Sequence, residues 1–460
     1  MNHLKYRTTI IGAIYQYMER NGLSLTQLAK QWEVNPGTVS SILNGNRPLA
    51  VEQLERITAV MELPRGYFYN TYISEYLHEV DPDWRRVKPL LQNCAELNRP
   101  DLIREIVGLL LDNPFYAQLL FDLAEEFYNA NQFEAAGILY ENVAMTERRQ
   151  HSERLAFCQY RLFLIGQGAD QDKNYRAAIQ FEPFVERLDE ASQLDALRDL
   201  ANAYRALDRW DKVESIVRSM EQKSKNAYFS KRQGAEFQSK NQRPLFFYLA
   251  FSYLLYGAIY DKKGKYEKAL KYTQLYSDLS WVKEEDKETL YWKSRFKEWA
   301  QANALLIRLS SGDATVLQEY ATFAETRKDE LIVSLFNIVE AANRYEFHID
   351  DILQRFDTEI QALEHQPLTL GVYTEQLILD RISRLFIELA TYYLRQGKYS
   401  EGFSYFIKSL NLFYQLNNTH RGLIIKYVEL FERYRSFAAA HVIDTYQELI
   451  GKLKQNDMLA

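Results

Sequence analysis

A recurring spacing of small and aromatic residues constrains the fold of this chain more than any other feature. Four aromatic anchors each follow a short turn, at Phe133, Trp210, Tyr266 and Tyr399. A second aromatic stands six residues before each anchor, at Phe127, Tyr204, Tyr260 and Tyr393. A small residue stands nine before, at Ala124, Ala201, Gly257 and Ala390. This spacing predicts paired helices, because a small residue lets two helices approach closely while an aromatic fills the gap beside it.

No single pair can bury its own apolar face, so the pairs are expected to stack into a right-handed superhelical solenoid. Weaker pairs are predicted around 153–188, 286–327, 329–362 and 418–454, which gives about nine pairs in all. With only 18 Gly and 10 Pro in 460 residues, the composition favours helices joined by short turns over a β-protein. The predicted fold class is therefore all-α.

The first seventy residues read as a separate group of five short helices. A helix over 8–20 ends at Gly22, and Ser24 and Gln27 then form a capping-box pattern for a second helix. A third helix, 36–43, has Asn35 as its N-cap, and Gly45 supplies the left-handed residue after its end. A fourth helix follows, and a fifth is expected to begin near Pro64 and to carry Tyr67, Phe68 and Tyr72.

This N-terminal stretch resembles the Cro/phage-repressor (XRE) helix-turn-helix family over residues 8–72. The resemblance lies in Leu28-Ala29 in the second helix, Val34 in the turn, Val39 in the third helix and the closing Asn44-Gly45. It implies that the third helix enters the major groove of DNA with its N-terminal residues on base edges.

The candidate base-reading residues are all small, and direct readout is expected to be weak, since that face has no Arg, Gln or second Asn to make a bidentate base contact. They are Asn35, Pro36, Gly37, Thr38, Ser40 and Ser41. The candidate phosphate contacts are Gln27, Lys30, Asn44 and Arg47. Residues 1–50 carry a net charge of +3 and residues 51–80 one of −3, so an anion-binding face must lie in the first fifty residues. The alternative is a degenerate helix-turn-helix kept only as a protein contact.

Polar side chains in phase with the anchors are expected on the inner face of the repeats. Asn can both donate to and accept from a peptide backbone, and Arg can take a carboxylate in a bidentate pair. The candidate peptide-binding residues are Arg198, Asn202, Arg205, Asn303, Asn337, Arg344 and Arg384. The alternative is that these residues form a solvated face or hydrogen bonds between repeats.

A helix-turn-helix followed by tetratricopeptide-like repeats resembles the RRNPP family (Rap, Rgg, NprR, PlcR, PrgX). The resemblance implies a dimeric, cytoplasmic transcription regulator that binds a double-stranded DNA operator and serves as receptor for a short quorum-sensing peptide. The expected domains are a DNA-binding domain at 1–77, a linker at 78–84 around Asp81-Pro82, and a repeat domain at 85–460 that binds the peptide and dimerises.

Other functional classes find less support in the sequence. It has no phosphate loop, dinucleotide fingerprint or metal-ligand spacing, so we expect a non-enzyme without metal or cofactor. Cys94 and Cys158 are expected to be buried thiols. The apolar run 244–260 is short for a membrane span and is predicted to be a buried helix. The rival function is a scaffold that binds a partner protein, including a phosphorelay-type response regulator, with an incidental helix-turn-helix.

Overall fold

A computed structural model of the chain describes residues 9–78, 83–110, 113, 115–147, 152–168, 170–230, 242–363, 375–416 and 421–455. These residues contain 24 α-helices and four short 3-10 helices, and no strand occurs among them. The all-α prediction is confirmed. They divide into two compact units, residues 1–167 with 176–189 and residues 168–175 with 190–460.

The first unit begins with the five helices of the N-terminal head and continues into the first helix pairs. Its helices are α1 (Ile10–Arg20), α2 (Leu25–Gln31), α3 (Pro36–Leu43), α4 (Val51–Val60), α5 (Tyr69–Tyr76), α6 (Trp84–Glu96), α7 (Pro100–Gly108), α8 (Phe115–Asn129), α9 (Phe133–Thr146), α10 (Glu153–Ile165) and α11 (Gln171–Phe181), whose first turn belongs to the second unit. One continuous apolar core runs from Ile10 in α1 to Cys158 in α10.

In its described residues, the second unit consists of helix pairs with three short 3-10 helices. Its helices are α12 (Glu190–Ala206), α13 (Trp210–Phe229), α14 (Leu245–Lys262), α15 (Tyr266–Ser277), α16 (Lys287–Ser310), α17 (Leu317–Thr326), α18 (Leu331–Tyr345), α19 (Asp350–Arg355), α20 (Asp357–Ala362), α21 (Glu375–Arg395), α22 (Tyr399–Gln415), α23 (Arg421–Tyr434) and α24 (Ala440–Gln455). Counting α19 and α20 as one broken partner of α18, the described residues hold nine pairs after the head, as the sequence predicts.

The four aromatic anchors mark the start of the second helix in their pairs, since each is the first residue of α9, α13, α15 or α22. Two residues before each anchor the backbone is left-handed, with φ of 60°, 56°, 66° and 76° at Asn131, Asp208, Gly264 and Gly397. The backbone N–H of the residue just before each anchor donates to the backbone carbonyl of the aromatic residue that stands six positions before the anchor, with N···O distances of 2.8–2.9 Å. The predicted small residues Ala124, Ala201 and Ala390 are fully buried. The sequence pattern therefore encodes one turn that the chain repeats.

A fifth copy of this turn joins α6 to α7, where the sequence offers no aromatic anchor. Asn98 has a φ of 51°, and the amide of Arg99 donates to the carbonyl of Cys94 at 2.9 Å. Pro100 takes the anchor position at the start of α7, where its missing N–H leaves no helix hydrogen bond unmade. Because Pro100 is not aromatic, the spacing of aromatic residues does not predict this pair.

Helix α14 contains the apolar run that the sequence presents as a possible membrane span. Twelve of its residues are buried in the second unit, including Phe246, Tyr248 and Leu255. Among the described residues, no helix has the length and apolar character needed to cross a membrane.

In the head, the third helix has its predicted limits, the first begins at Ile10 and not at the predicted residue 8, and the fifth differs most. We expect that helix to begin near Pro64, but it begins at Tyr69. The reason is Gly66, whose φ of 80° no α-helix allows. Tyr67 and Phe68 consequently lie before the helix, and only Tyr72 of the three predicted residues lies within it. Tyr67 is 60% exposed, whereas Phe68 and Tyr72 are buried.

Candidate nucleic-acid interface

The α2–α3 pair is held in place by the core of the head. Leu28, Val39 and Ile42 are completely buried between the helices. Trp32, at the end of α2, is also completely buried, and its indole N–H donates to the carbonyl of Gln53 in α4 at 2.7 Å. A buried donor with a short, satisfied hydrogen bond fixes its ring in one orientation. The outer faces of α2 and α3 are therefore presented on a rigid frame.

The start of α2 has the predicted capping box. The amide of Gln27 donates to the hydroxyl of Ser24 at 3.3 Å, and the Gln27 side-chain oxygen accepts from the amide of Ser24 at 2.8 Å. This reciprocal pair satisfies two amides at the helix start. Because the side-chain oxygen of Gln27 is used in this pair, only the NH2 group of Gln27 remains to donate a hydrogen bond to a phosphate.

The start of α3 is the predicted base-reading end, and it is exposed at Asn35, Pro36 and Gly37. The side-chain oxygen of Asn35 accepts from the amide of Gly37 at 2.8 Å, which confirms Asn35 as the N-cap. Pro36 occupies the first helical position. Since the oxygen of Asn35 already serves the helix, only its NH2 group remains to donate to a base edge or a phosphate.

Farther along α3, the candidate base-reading side chains are short and half-buried. They are Thr38, Ser40 and Ser41. The side chain of Asn44 is exposed and donates to the hydroxyl of Ser40 at 3.3 Å. Short hydroxyl side chains can donate to or accept from either groove edge, so they discriminate weakly between bases. The geometry of α3 therefore favours readout by shape and by close backbone approach.

Lys30 on α2 and Arg47 after α3 are exposed cations with no ion pair to any described residue. Arg56 on α4 differs, because its guanidinium lies 2.6 Å from Glu52 and 3.9 Å from Glu33. A cation with no carboxylate partner loses no ion pair when it binds a phosphate. Lys30 and Arg47 are thus the strongest phosphate-contact candidates of the head, although their contact with DNA stays a prediction.

In the second unit, Arg198 on α12 belongs to a buried polar network. Its guanidinium lies 3.1 Å from Asp195 and 2.8 Å from Asp199, and only 13% of its side chain is exposed. Asp195 also accepts from the hydroxyl of Tyr248 in α14 at 2.6 Å and from the amide of Gln242 at 3.1 Å. Burial raises the pKa of the Asp195 carboxyl, and these donors oppose the rise. Arg198 therefore helps to join α12 to α14.

Two of the predicted asparagines make the same hydrogen bond to a buried tyrosine. The amide of Asn303 on α16 donates to the hydroxyl of Tyr276 on α15 at 2.9 Å. The amide of Asn337 on α18 donates to the hydroxyl of Tyr320 on α17 at 3.0 Å. Both tyrosines are at least 96% buried. Each bond fixes the orientation of its amide and leaves the side-chain oxygen and one N–H for another partner.

The remaining members of the predicted set lie on three helices. Asn202 is half-buried and Arg205 exposed on α12, in the two turns after Arg198. Arg344 on α18 lies 3.5 Å from Glu340, and Arg384 on α21 lies 2.8 Å from Asp380. The structure brings Arg198, Asn202 and Arg205 together on one helix and Asn337 and Arg344 on another. Their contact with a peptide stays a prediction.

Sequence reasoning missed Tyr276 and Tyr320, the partners of the two asparagines. Each tyrosine lies on the helix that precedes its asparagine, 27 and 17 residues earlier. These separations are unequal, so no fixed spacing links the partners along the chain. The pairing follows from how the helices pack.

Comparison with known proteins supports the assignment of the head. Residues 14–68, from α1 to the turn before α5, match the family model described as Helix-turn-helix. Two relatives with the name "Uncharacterized HTH-type transcriptional regulator YbaQ", from Escherichia coli strain K12 and from Escherichia coli O6:H1 strain CFT073, are each 28% identical over 85 residues. The match covers 18% of this chain and 75% of each relative.

Proposed function

We propose that this chain is a DNA-binding transcription regulator whose helix pairs receive a short linear signalling peptide. The observation that carries the DNA-binding part is the α2–α3 frame, which exposes the start of α3, and that start is flanked in sequence by two exposed cations without an ion pair to any described residue, Lys30 and Arg47. The helix-turn-helix match over 14–68 supports the same reading. In the proposal the chain acts in the cytoplasm, as a homodimer on an operator with two half-sites.

The peptide part of the proposal rests on the oriented amides of Asn303 and Asn337. An amide held by a buried tyrosine loses little further freedom when it binds a backbone, which favours binding. Asn202 and Arg205 are the proposed contacts on α12. A peptide can change DNA binding only through its different affinities for two arrangements of the helix pairs, a coupling of typically ~1–3 kcal/mol.

The scaffold alternative is favoured by a different observation. Arg198, Asn303, Asn337 and Arg384 already have partners within the chain, at distances of 2.8–3.1 Å. Such contacts can stabilise the packing of helices without binding any ligand. In that case the helix pairs would bind a partner protein through another surface.

A gel-shift titration of purified full-length protein on duplex DNA from its own upstream region tests the DNA-binding part. At ~50–100 mM salt, where phosphate contacts are strong, we expect a shifted band. Lys30→Ala should weaken binding and reduce the slope of log K against log salt by about 0.9 for one lost phosphate contact. Lys263→Ala is the matched control, since Lys263 lies in the second unit and pairs with Glu214 at 2.7 Å.

Absence of a shifted band at low salt would favour the scaffold. Equal slopes for Lys30→Ala and the wild-type protein would remove Lys30 from the interface. Calorimetry with synthetic peptides from small reading frames near the gene tests the receptor part. There Asn202→Ala should abolish the heat of binding without loss of helical circular dichroism.

A further inference from the structure

Arg65, in the turn between α4 and α5, connects the head to the first helix pair. It bonds three side chains, one in the head and two on α6. Its Nε donates to Glu55 of α4 at 2.9 Å. One terminal nitrogen donates to Asn93 and Glu96 of α6, at 3.0 and 2.7 Å. The guanidinium is charged at any ordinary pH, and the bond to Glu96, followed by that to Glu55, raises its pKa further. A planar fork that reaches two elements at once fixes their relative orientation better than a single ammonium group would.

The neighbouring residue brings the backbone of the head against α6. Gly66 has a φ of 80°, and a Cβ built on it would lie 2.9 Å from a methyl carbon of Leu97. Only glycine adopts this backbone conformation easily and leaves room for Leu97. The Arg65-Gly66 dipeptide therefore places one polar and one steric contact side by side on the end of α6.

Buried side chains surround this contact. Tyr69 at the start of α5 is 1% exposed and Cys94 of α6 is completely buried, and both belong to the core that runs from α1 to α10. Burial raises the pKa of the Tyr69 hydroxyl, and the nearby carboxylate of Glu55 raises it further. At the other end of α5, His78 lies 3.5 Å from Glu105 of α7. The head thus meets both helices of the first pair through apolar and polar contacts.

We propose that Arg65 is a positioning residue that fixes the helix-turn-helix head on α6, so that α3 and the first helix pair move as one rigid body. This goes beyond the proposed function, because it states how a change in the helix pairs would reach DNA. A displacement of α6 would rotate or translate α3 with it. The head would then have no motion independent of α6, and the helix pairs would set the distance between two half-sites. Residues 79–82 of the linker predicted at 78–84 lie outside the described residues.

The test measures the distance between head and first pairs by pulsed electron double resonance. Spin labels are placed on the full chain through Thr26→Cys on α2 and Gly108→Cys on α7, both exposed positions. The native Cys94 and Cys158 are completely buried, so they should stay unlabelled. We expect a single narrow distance distribution, because one rigid body allows one separation.

Glu96→Ala is the decisive variant, since it removes the charged and shorter of the two Arg65 bonds to α6, at 2.7 Å, and leaves the bond to Asn93 and the Arg65–Glu55 pair inside the head intact. Arg65 is 46% exposed in its side chain, so the loss should raise the population of displaced orientations by only a few-fold. The fraction of the distribution that lies outside the main distance peak should rise by the same few-fold factor over the wild-type protein. Arg104→Ala is the matched control, because it removes an exposed pair of α7 and α9, Arg104–Glu141 at 3.8 Å, without touching the head.

A broad distribution in the wild-type protein would overturn the rigid-body proposal. A narrow one that Glu96→Ala and Arg65→Ala both leave unchanged would overturn the role of Arg65. The distances do not require DNA, so failure of the proposed DNA binding would show in the gel shift and leave this result intact. Circular dichroism of each variant distinguishes loss of docking from loss of folding.

Discussion

Asn35 combines two tasks that substitutions can separate, capping α3 and facing DNA. Its side-chain oxygen accepts from the Gly37 amide at 2.8 Å, and the residue is exposed. Replacing a capping Asn by Ala costs about 1 kcal/mol. With RT about 0.59 kcal/mol, a loss of about 1 kcal/mol raises the population of the locally opened helix about fivefold. Asn35→Ala should therefore speed hydrogen exchange about fivefold at those α3 amides that exchange by local opening. Loss of the side-chain NH2 group should also weaken DNA binding.

Asn35→Asp separates the tasks. A carboxylate keeps the acceptor for Gly37 and interacts favourably with the positive end of the α3 dipole, by about 0.3–1 kcal/mol. Exchange in α3 should therefore be as slow as in the wild-type protein, or slower. The same carboxylate would face phosphates, and like charges brought together cost several kcal/mol, so affinity for DNA should fall by about tenfold or more.

The assays are hydrogen exchange followed by mass spectrometry of α3 peptides and gel-shift titration of the full chain. Asp286→Ala is the matched control, because Asp286 caps α16 in the second unit by accepting from the amides of Glu288 and Thr289 at 3.0 Å. It should speed exchange in α16 and leave DNA affinity unchanged. Wild-type DNA affinity for Asn35→Asp would refute the claim that the start of α3 faces DNA. Unchanged exchange for Asn35→Ala would refute the capping contribution.

Two further predictions concern the helix pairs. Gly402→Ala should destabilise α22 by about 1–3 kcal/mol, because the added Cβ would lie 2.6 Å from a side-chain carbon of Leu394. Gly137→Ala should stabilise α9 by about 0.5–1 kcal/mol, because its added Cβ would have no neighbour within 4 Å. Hydrogen exchange of each helix measures these changes, and equal effects of the two substitutions would contradict the packing explanation. Burial raises the pKa of Tyr427 to about 12, although its hydroxyl bonds Ser409 at 2.6 Å. The pKa of Tyr427 in the folded protein exceeds the unfolded value of about 10, so its contribution to folding stability should be complete below pH 10 and lost as the pH rises toward 12. Tyr427→Phe should therefore remove the contribution of this hydroxyl to the alkaline transition, which tyrosinate absorbance follows.

Much of the head was predictable because its signals are local. Ser24 with Gln27 caps α2, and Asn35 caps α3, through contacts that span two or three residues, so the sequence suffices to find them. The start of α5 was not predictable in the same way. Gly66 breaks the expected helix, and the contact with Leu97 that its missing side chain permits lies 31 residues farther along the chain.

The candidate peptide residues show the limit of periodicity. Helical spacing places Arg198, Asn303 and Asn337 on suitable helices, but it cannot tell whether a polar side chain faces a ligand or a neighbouring helix. In the folded chain Arg198 lies in the Asp195 network, and the two asparagines are held by Tyr276 and Tyr320. Partners that come from other helices appear only when the helices are packed.

The sequence by itself determined the class of the protein, which is a helix-turn-helix head followed by helix pairs joined by a recurring turn. These features depend on caps, left-handed turn residues and apolar spacing, all of which act over fewer than ten residues. The tertiary structure alone decided how the head is attached. Arg65 reaches Glu55, Asn93 and Glu96 across as many as 31 residues of chain, and the charge pattern near Arg65 does not specify those partners. Such contacts depend on the angle at which whole helices cross, and only the packed core sets that angle.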